Sequence, residues 1–213
     1  MKGKELGFVH SMFNVPIVHY PIENWSENKK KILDALPPED ESQKEPNGTG
    51  LYTDFFINGK VKELPSYFPT VVDVIKPYLK SFMDGNPVEF VEMWYQKYYK
   101  NVEHKAHCHG FTGWSSIIYV EFDPEIHEST RFFSPFRQPW DCDMEVFQPT
   151  VKEGDMILFP SSLLHEAPLN KSNTRRTIIS YNIRGYVDYV KHMLFSPAGE
   201  TTINNTGYTH EKK

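Results

Sequence analysis

The sequence predicts a mainly β protein with flanking helices, folded as a jelly roll of the double-stranded β-helix type. Aromatic residues make up 15% of the 213 residues, a share that suits strands better than a helical bundle. The 16 prolines and 12 glycines would punctuate many short elements. Helical patterns occur early in the chain, and short strand patterns dominate from Val88 onward. A sandwich of another topology is the alternative.

We expect one domain over residues 1–213, because this length suits a single hydrophobic core. Within it, residues 1–87 would form a helical support region and residues 88–190 the β core. Residues 197–213 are polar and would form a loosely ordered tail.

The support region begins with an extended, proline-bounded segment at residues 14–21, which predicts an edge strand. Helical apolar spacing over residues 24–36 predicts the first helix, and the Pro37-Pro38 pair would end it. Residues 37–50 are polar and predict a loop.

A short strand at residues 51–57 is predicted next, with Asn58-Gly59 as its hairpin turn. Apolar spacing over residues 69–83 predicts a second helix. Pro77 lies inside that pattern and should kink or split the helix, and Gly85 would end it.

The β core contains a series of short strand patterns separated by turns. The predicted strands cover residues 88–99, 115–122, 144–151, 156–160 and 176–183. Residues 123–145 predict a long loop with aromatic side chains, which suggests a lid over a substrate site.

Composition excludes several classes of protein. The net charge of −5 argues against a nucleic-acid-wrapping surface. The sequence contains no run of about 18 apolar residues, so no membrane span is predicted. The first seven residues lack the apolar segment of a signal peptide, and the two cysteines suit a reducing compartment. We therefore expect a cytoplasmic protein, with Cys108 packed on the face opposite its histidine neighbours.

The strongest chemical signal is a histidine cluster at His104, His107 and His109, together with the distant His165. On a strand, a period of two places His107 and His109 on one face and His104 on the other. Two imidazoles at i and i+2, joined by a third after another strand, predict a metal site. His104 is expected to be a surface turn residue.

Arg176 opens the last strand pattern and has no obvious structural acid as its partner. A buried guanidinium favours a carboxylate, which it can bind with two parallel hydrogen bonds. A metal together with an inward-facing arginine suits a small chelating diacid.

These segments together resemble the 2-oxoglutarate- and Fe(II)-dependent dioxygenase superfamily, with the nearest likeness to uncharacterised bacterial and phage members of its prolyl-hydroxylase-like branch. The resemblance spans roughly residues 88 to 184 and rests on the order and spacing of five motifs. The motifs are Met93-Trp-Tyr95, His107-Cys-His-Gly-Phe-Thr-Gly-Trp114 with the strand after it, Glu153-Gly-Asp-Met-Ile-Leu-Phe-Pro-Ser161, Leu164-His-Glu-Ala-Pro168 and Arg176-Thr-Ile-Ile-Ser180.

The resemblance implies Fe(II) bound by His107, His109 and His165, and 2-oxoglutarate held through its far carboxylate by Arg176 and Tyr119. It also implies hydroxylation of a substrate, a peptidyl (prolyl-type) side chain or a small molecule, with succinate and CO2 as co-products. The chain departs from the family pattern at His109, where a carboxylate is usual. Tyr95 and Tyr99 are further candidates for lining the pocket.

Two alternatives stay open at this point. One is a cupin-like three-histidine metalloenzyme that does not use 2-oxoglutarate. The other is a non-catalytic jelly-roll binding protein, which would bind no metal.

Overall fold

In this computed structural model, which describes residues 15–45, 50–57, 63–185, 201–203 and 209–211, the fold is built on two larger antiparallel sheets and two longer helices. The helices are α1 (Trp25–Ala35) and α2 (Phe68–Phe82), with a 3-10 turn at Glu41–Gln43. The strands are β1 (Val18–Pro21), β2 (Tyr52–Thr53), β3 (Glu89–Tyr98), β4 (His104–His107), β5 (Trp114–Glu121), β6 (Arg131–Arg137), β7 (Met144–Phe147), β8 (Asp155–Pro160), β9 (His165–Ala167), β10 (Arg176–Arg184), β11 (Thr201–Ile203) and β12 (Thr209–Glu211).

The larger sheet has six strands in the order β1-β8-β5-β10-β3-β2, and the smaller has four in the order β4-β9-β6-β7. Strands β11 and β12 pair with each other. Sequence neighbours are often not sheet neighbours, since β5 pairs with β8 and β10. This arrangement is the predicted double-stranded β-helix with flanking helices.

Side chains that alternate along the strands of the large sheet belong to two separate hydrophobic cores, one on each face. Ile118 and Ile179 point to the face covered by α1 and α2, where they join Ile32, Ile75 and other helix residues. Ile117 and Ile178 point to the opposite face, together with Phe132 of the smaller sheet. The second face therefore forms the interior between the sheets, where the site lies.

Strand β1 and both helices occur where the sequence predicts them. Strand β1 is an edge strand, as expected from its prolines, and it pairs with β8 alone. Helix α2 runs unbroken through Pro77, so the predicted split is wrong. Val71, Ile75 and Leu79 are buried on one helix face, and this packing outweighs the local preference of proline.

The strand predicted at residues 51–57 is only Tyr52–Thr53, and residues 55–57 are helical. The Thr53 hydroxyl accepts a hydrogen bond from Phe55 N at 3.2 Å, a local bond that turns the chain out of the sheet. Asp54 holds that turn by accepting from Tyr95 N and the Tyr67 hydroxyl. Asn58-Gly59 lies outside the described residues, as does most of the tail at 197–213.

The long loop predicted at residues 123–145 is wrong in its second half, where Arg131–Arg137 forms β6 between β9 and β7. Pro135 interrupts the strand pattern in the sequence, but the register also shifts between Phe133 and Arg137. Such an irregularity accommodates proline in a strand. Residues 131–137 and 144–145 of the segment suggested as a lid therefore belong to the smaller sheet. In the described ranges no helix is long and apolar enough to cross a membrane.

Gly113 controls the entry into β5 beside the histidine cluster. Its φ is +113°, and a Cβ there would lie 2.6 Å from the carbonyl oxygen of Ile183. Gly113→Ala should therefore lower the free energy of unfolding by about 3 kcal/mol. Urea denaturation measures this, with Gly110→Ala as the matched control.

Gly110 also has a positive φ, +68°, but a Cβ there would meet nothing within 4 Å. The control should lose only about 1 kcal/mol, from backbone strain alone. Equal losses in the two variants would show that the close approach of Ile183 does not matter.

Candidate metal centre

Three histidines from two strands and a loop come together between the sheets. One ligand nitrogen from each of His107, His109 and His165 lies within 4.8 Å of the others. The ring centroids are 4.4 Å apart for His107 and His165 and 5.0 Å apart for His109 and His165. This spacing allows one metal ion to contact all three imidazoles.

Strand pairing positions two of these histidines and a single hydrogen bond positions the third. His107 lies directly opposite His165 in the β4–β9 ladder. His109 lies beyond the end of β4, and its backbone N donates to Ser161 O at 2.8 Å. The two histidines of the 107–109 pair are therefore brought together by different means, not by one shared strand face.

The hydrogen bonds of His107 and His165 select the same tautomer. His107 Nδ1 lies 2.7 Å from Lys105 O, and His165 Nδ1 lies 2.9 Å from Leu163 O. A carbonyl oxygen can only accept, so each Nδ1 carries the proton and each Nε2 keeps its lone pair. Metal-binding histidines are commonly held in this way.

His109 is held by two buried polar side chains. Its Nδ1 lies 2.9 Å from Asn182 Oδ1 and 2.9 Å from Ser115 Oγ. The amide oxygen of Asn182 accepts a hydrogen bond from His109 Nδ1, so the lone pair of His109 Nε2 is again available. All three histidines thus present the nitrogen that a metal needs.

Burial keeps the imidazoles neutral. It lowers the pKa of His165 to about 3, with the neighbouring His107 as a smaller contribution, and it lowers the pKa of His107 and His109 as well. Neutral rings have lone pairs to share with a cation at ordinary pH.

His104 does not lie where parity places it. Its ring stacks on that of His107 with centroids 3.9 Å apart, and it also borders the cavity beside the cluster. His104 pairs with Ala167 and His107 pairs with His165. Three residue steps along β4 therefore lie opposite two steps along β9, and the register shifts between His104 and His107. This bulge breaks the alternation and brings His104 to the site, so the outward-facing prediction is wrong.

The hydrogen bonds of His104 nevertheless set it apart from the cluster. Gln96 Oε1 accepts from the Ser180 hydroxyl, so Gln96 Nε2 faces His104 Nδ1 and donates to it at 3.0 Å. His104 then carries its proton on Nε2. This tautomer presents an N–H donor instead of a lone pair.

Arg176 is buried to 2% exposure and stacks on Tyr98, 4.2 Å from the ring centroid. Its Nη1 donates to Glu128 O at 2.8 Å and its Nη2 to Pro168 O at 2.9 Å, while Nε has no partner. Within the described part of the chain, no carboxylate pairs with this guanidinium. Burial lowers the pKa of Arg176, which reflects a cation without an anion beside it.

The tyrosines divide differently from the sequence predictions. The Tyr119 hydroxyl donates to Thr130 Oγ1 at 3.0 Å, and it also accepts from Thr130 N at 3.2 Å. Tyr95 packs against Tyr67 in the core beneath the helices, and Tyr99 bonds to Glu39, so neither lines the site.

Tyr98 was missed by the sequence reasoning. Its buried hydroxyl has no partner, and its ring lies under Arg176. The sequence prediction extended the strand alternation from His107 back to residues 95 and 99. The turn between β3 and β4 interrupts that alternation, so the prediction chose the wrong face of β3. The register that pairs Arg176 with Tyr98 gives the correct face, but the sequence does not show it.

A cavity of about 380 Å³ opens beside the histidines. Its lining includes His104, His107, His109, Phe55, Phe56, Trp94, Glu45 and Glu92. Arg176 is not among the lining residues, because it lies deeper, between the sheets. Cys108 is exposed and borders the same cavity as His107 and His109, so the expectation that it packs on the face opposite them is wrong.

The neutral histidines make stability depend on pH. In the folded protein the pKa of His104 and of His165 is about 3, whereas in the unfolded chain it is near 6.5. As the pH falls through 6.5, the unfolded chain therefore binds protons that the folded protein does not. The metal-free protein should therefore lose stability as the pH falls from about 7 to 5.5, by up to about 1.4 kcal/mol per pH unit for each histidine. Urea denaturation across this range measures the slope.

His165→Gln should make that slope shallower, since glutamine does not titrate. A slope that is flat over this interval in the unaltered protein would contradict the assignment of neutral buried rings.

A family model and several solved structures are similar to this chain. A family model described as "Putative 2OG-Fe(II) oxygenase" matches residues 92–182. No curated protein matches the chain in sequence.

Several solved structures resemble it. AviO1 from Streptomyces viridochromogenes Tue57 is 11% identical with a TM-score of 0.53, over 80% of this chain and 91% of that chain. HygX from Streptomyces hygroscopicus, solved with nickel and 2-oxoglutarate bound, is 12% identical with a TM-score of 0.51, over 80% and 82%. The epimerase SnoN from nogalamycin biosynthesis, solved with Fe3+, alpha ketoglutarate and nogalamycin RO, is 12% identical with a TM-score of 0.53, over 79% and 78%.

At these identities the structures show a shared fold, and the family model, which covers residues 92–182, is that of the 2OG-Fe(II) oxygenase class. The matched segment contains the histidine cluster and Arg176. The donor set also fits the cofactors of that class: three neutral imidazoles suit Fe(II), and the unpaired guanidinium suits a carboxylate. Residues 92–182 therefore match a family of putative 2OG-Fe(II) oxygenases in sequence, and the residues of the site suit the two groups named in that description.

Proposed function

We propose that the protein is a hydroxylase in which His107, His109 and His165 bind Fe(II) and Arg176 binds the far carboxylate of 2-oxoglutarate. The observation that carries the proposal is the matched tautomer of the three histidines. Each Nδ1 faces an oxygen acceptor, and one ligand nitrogen from each ring lies within 4.8 Å of the others. A merely structural cluster has no need of three outward lone pairs in one place.

The charge of the site supports a dianionic co-substrate. Three neutral ligands leave Fe(II) with its full +2 charge, whereas a carboxylate ligand would reduce it to +1. Arg176 adds another buried positive charge with no anion beside it among the described residues. A diacid with one end on the metal and one on Arg176 would neutralise Arg176 and reduce the charge at the metal to +1.

The proposed metal ligand His165 and the residue that Arg176 contacts are close along the chain. Arg176 Nη2 bonds to Pro168 O, three residues beyond His165. Three residues span at most about 10 Å, which limits the distance between the backbone positions. A five-carbon diacid is of suitable length for such a gap.

We propose that Tyr98 assists Arg176, since its hydroxyl is buried and without a partner. Tyr119 was the sequence candidate for this role, and its hydroxyl is already engaged by Thr130. Tyr119 would still shape the same pocket, next to Arg176, but Tyr98 is the better candidate for donating to the carboxylate.

When bound, Fe(II) and 2-oxoglutarate supply the activation of O2, so that one oxygen atom enters the substrate and the other enters succinate as CO2 is released. The chain itself binds and orients these groups. The aromatic side chains Phe132 and Phe159 lie against the His165 ring and exclude water from that side.

We propose a peptidyl side chain of the prolyl type as the substrate, with a small molecule as the second candidate. The cavity beside the histidines offers aromatic surface from Phe55, Phe56 and Trp94. Its described lining carries the carboxylates of Glu45 and Glu92 and no lysine or arginine. The cavity therefore favours an uncharged or cationic group over an anionic one.

The test is aerobic incubation with Fe(II) and 2-oxoglutarate, with succinate measured by mass spectrometry. Proline-containing peptides are expected to increase succinate release and to gain one oxygen atom. Tyr98→Phe should raise the KM for 2-oxoglutarate, while Tyr99→Phe, a matched change on the adjacent residue, should not. Succinate formation that needs neither iron nor O2 would contradict the proposal.

A further inference from the structure

Position 109 has a histidine in place of a carboxylate, and the carboxylate of Glu92 is linked to this histidine through Asn182. Asn182 Oδ1 faces His109 Nδ1 at 2.9 Å, and Asn182 Nδ2 donates to Glu92 Oε1 on the neighbouring strand β3. Glu92, Asn182 and His109 thus form a continuous chain of hydrogen bonds. Among the described residues, no carboxylate joins the three histidines as a fourth ligand.

The chemistry of Glu92 fixes the direction of every bond in this chain. An ionised carboxylate can only accept, so the NH2 group of Asn182 must face Glu92. The amide oxygen of Asn182 must then face His109, and an oxygen there requires a proton on His109 Nδ1. The Nε2 lone pair is available to a metal only in this arrangement.

The surroundings leave little freedom for another arrangement. Asn182, Ser115 and Ser161 each have 0% exposure, so bulk water cannot substitute for a lost partner. The Ser115 hydroxyl lies 2.6 Å from Asn182 Oδ1 and 3.0 Å from Ser161 Oγ. Asn182 also stands where the register of β3 against β10 shifts, which aims its side chain at both neighbours.

We propose that Glu92, acting through Asn182, locks His109 in its metal-binding tautomer and supplies negative charge to a metal site built without a carboxylate ligand. Glu92 and Asn182 are positioning residues in this account. The inference rests on the proposed function, because it takes His109 to be a ligand. Outer hydrogen-bond partners of metal ligands typically affect metal affinity by about 10- to 100-fold.

The first test measures the tautomer of His109 in the metal-free protein by imidazole 15N NMR above about pH 7, where the ring is neutral. The unaltered protein should show His109 with its proton on Nδ1. Glu92→Gln should give a mixture of tautomers, because glutamine can present its own NH2 group and allow Asn182 to reverse. Glu89→Gln, on the same strand but exposed, is the matched control and should leave the tautomer unchanged.

The second test measures the affinity for Co(II), a probe that replaces Fe(II) and is stable in air. Glu92→Gln and Asn182→Ala should each weaken binding by about 10- to 100-fold, and Glu89→Gln should not. An unchanged tautomer and unchanged Co(II) affinity in Glu92→Gln would overturn the inference.

The two tests separate the inference from the proposed function. If the unaltered protein bound no metal, the proposed function would fail, while the NMR measurement would still decide whether Glu92 controls His109. If Glu92→Gln changed the tautomer but left the Co(II) affinity intact, His109 would not be a ligand and the inference would be overturned with it.

Discussion

Alanine in place of Arg176 is expected to weaken 2-oxoglutarate binding by about 100-fold. Removing one partner of a buried, hydrogen-bonded charge pair typically costs 2–5 kcal/mol, and about 2.7 kcal/mol corresponds to 100-fold. Arg176 is nearly fully buried, and no described carboxylate would replace the ligand as its partner. Isothermal titration of the anaerobic Fe(II) protein with 2-oxoglutarate measures the loss.

Two further variants keep this prediction decisive. Arg176→Lys retains the charge without the two-pronged donor, so it should fall between the unaltered protein and Arg176→Ala. Arg175→Ala is the neighbouring control, because Arg175 pairs with Glu121 and Glu39 instead. Circular dichroism establishes that each variant is folded, and 2-oxoglutarate affinity unchanged in folded Arg176→Lys would count against the assignment.

The second large effect concerns the metal. His165→Ala should reduce Fe(II) affinity by more than about 100-fold, beyond the range typical of outer partners. The ring is buried, faces His107 across the ladder and presents Nε2 to the site. Iron content after anaerobic loading and desalting measures this loss directly.

His104→Ala is the informative comparison for that experiment. His104 lies as close to His107 as any member of the cluster, but its Nδ1 accepts from Gln96 and its Nε2 carries a proton. It should therefore leave iron content nearly unchanged. Loss of iron in His104→Ala together with retention in His165→Ala would reverse the assignment of ligands.

Much of the fold could be predicted because apolar patterns are local. The short apolar runs of β5 and β10 and the helical spacing of α2 are visible in the sequence, and the structure has strands and a helix there. Strand β6 was missed because Pro135 interrupts its pattern, and its pairing with β9 depends on residues far away in the chain. Strand β2 was too long in the prediction because one side-chain hydrogen bond from Thr53 ends it.

The candidate site shows the same division. His107 and His109 could be nominated because two histidines two residues apart are visible in one sequence. His165 and Arg176 could be nominated because each stands beside a later strand pattern. His104 was misplaced because a bulge in β4 changes parity, and a bulge depends on the partner strand.

Glu92, Tyr98 and Asn182 gave no signal in the sequence. Each lies in an ordinary strand pattern, and its importance comes from what faces it across the sheet: Asn182 for Glu92, Arg176 for Tyr98 and His109 for Asn182. Such partners become visible only when the register of β3 against β10 is known.

The most direct test of the central claim is an anaerobic titration of 2-oxoglutarate into the Fe(II)-loaded protein, followed by visible absorption. Chelation of the metal by the keto-acid end should produce a metal-to-ligand charge-transfer band that saturates at one equivalent. The band should weaken in Arg176→Ala and be absent in His165→Ala. Iron bound at the three histidines without any such band would contradict the account and favour a metalloenzyme that does not use 2-oxoglutarate.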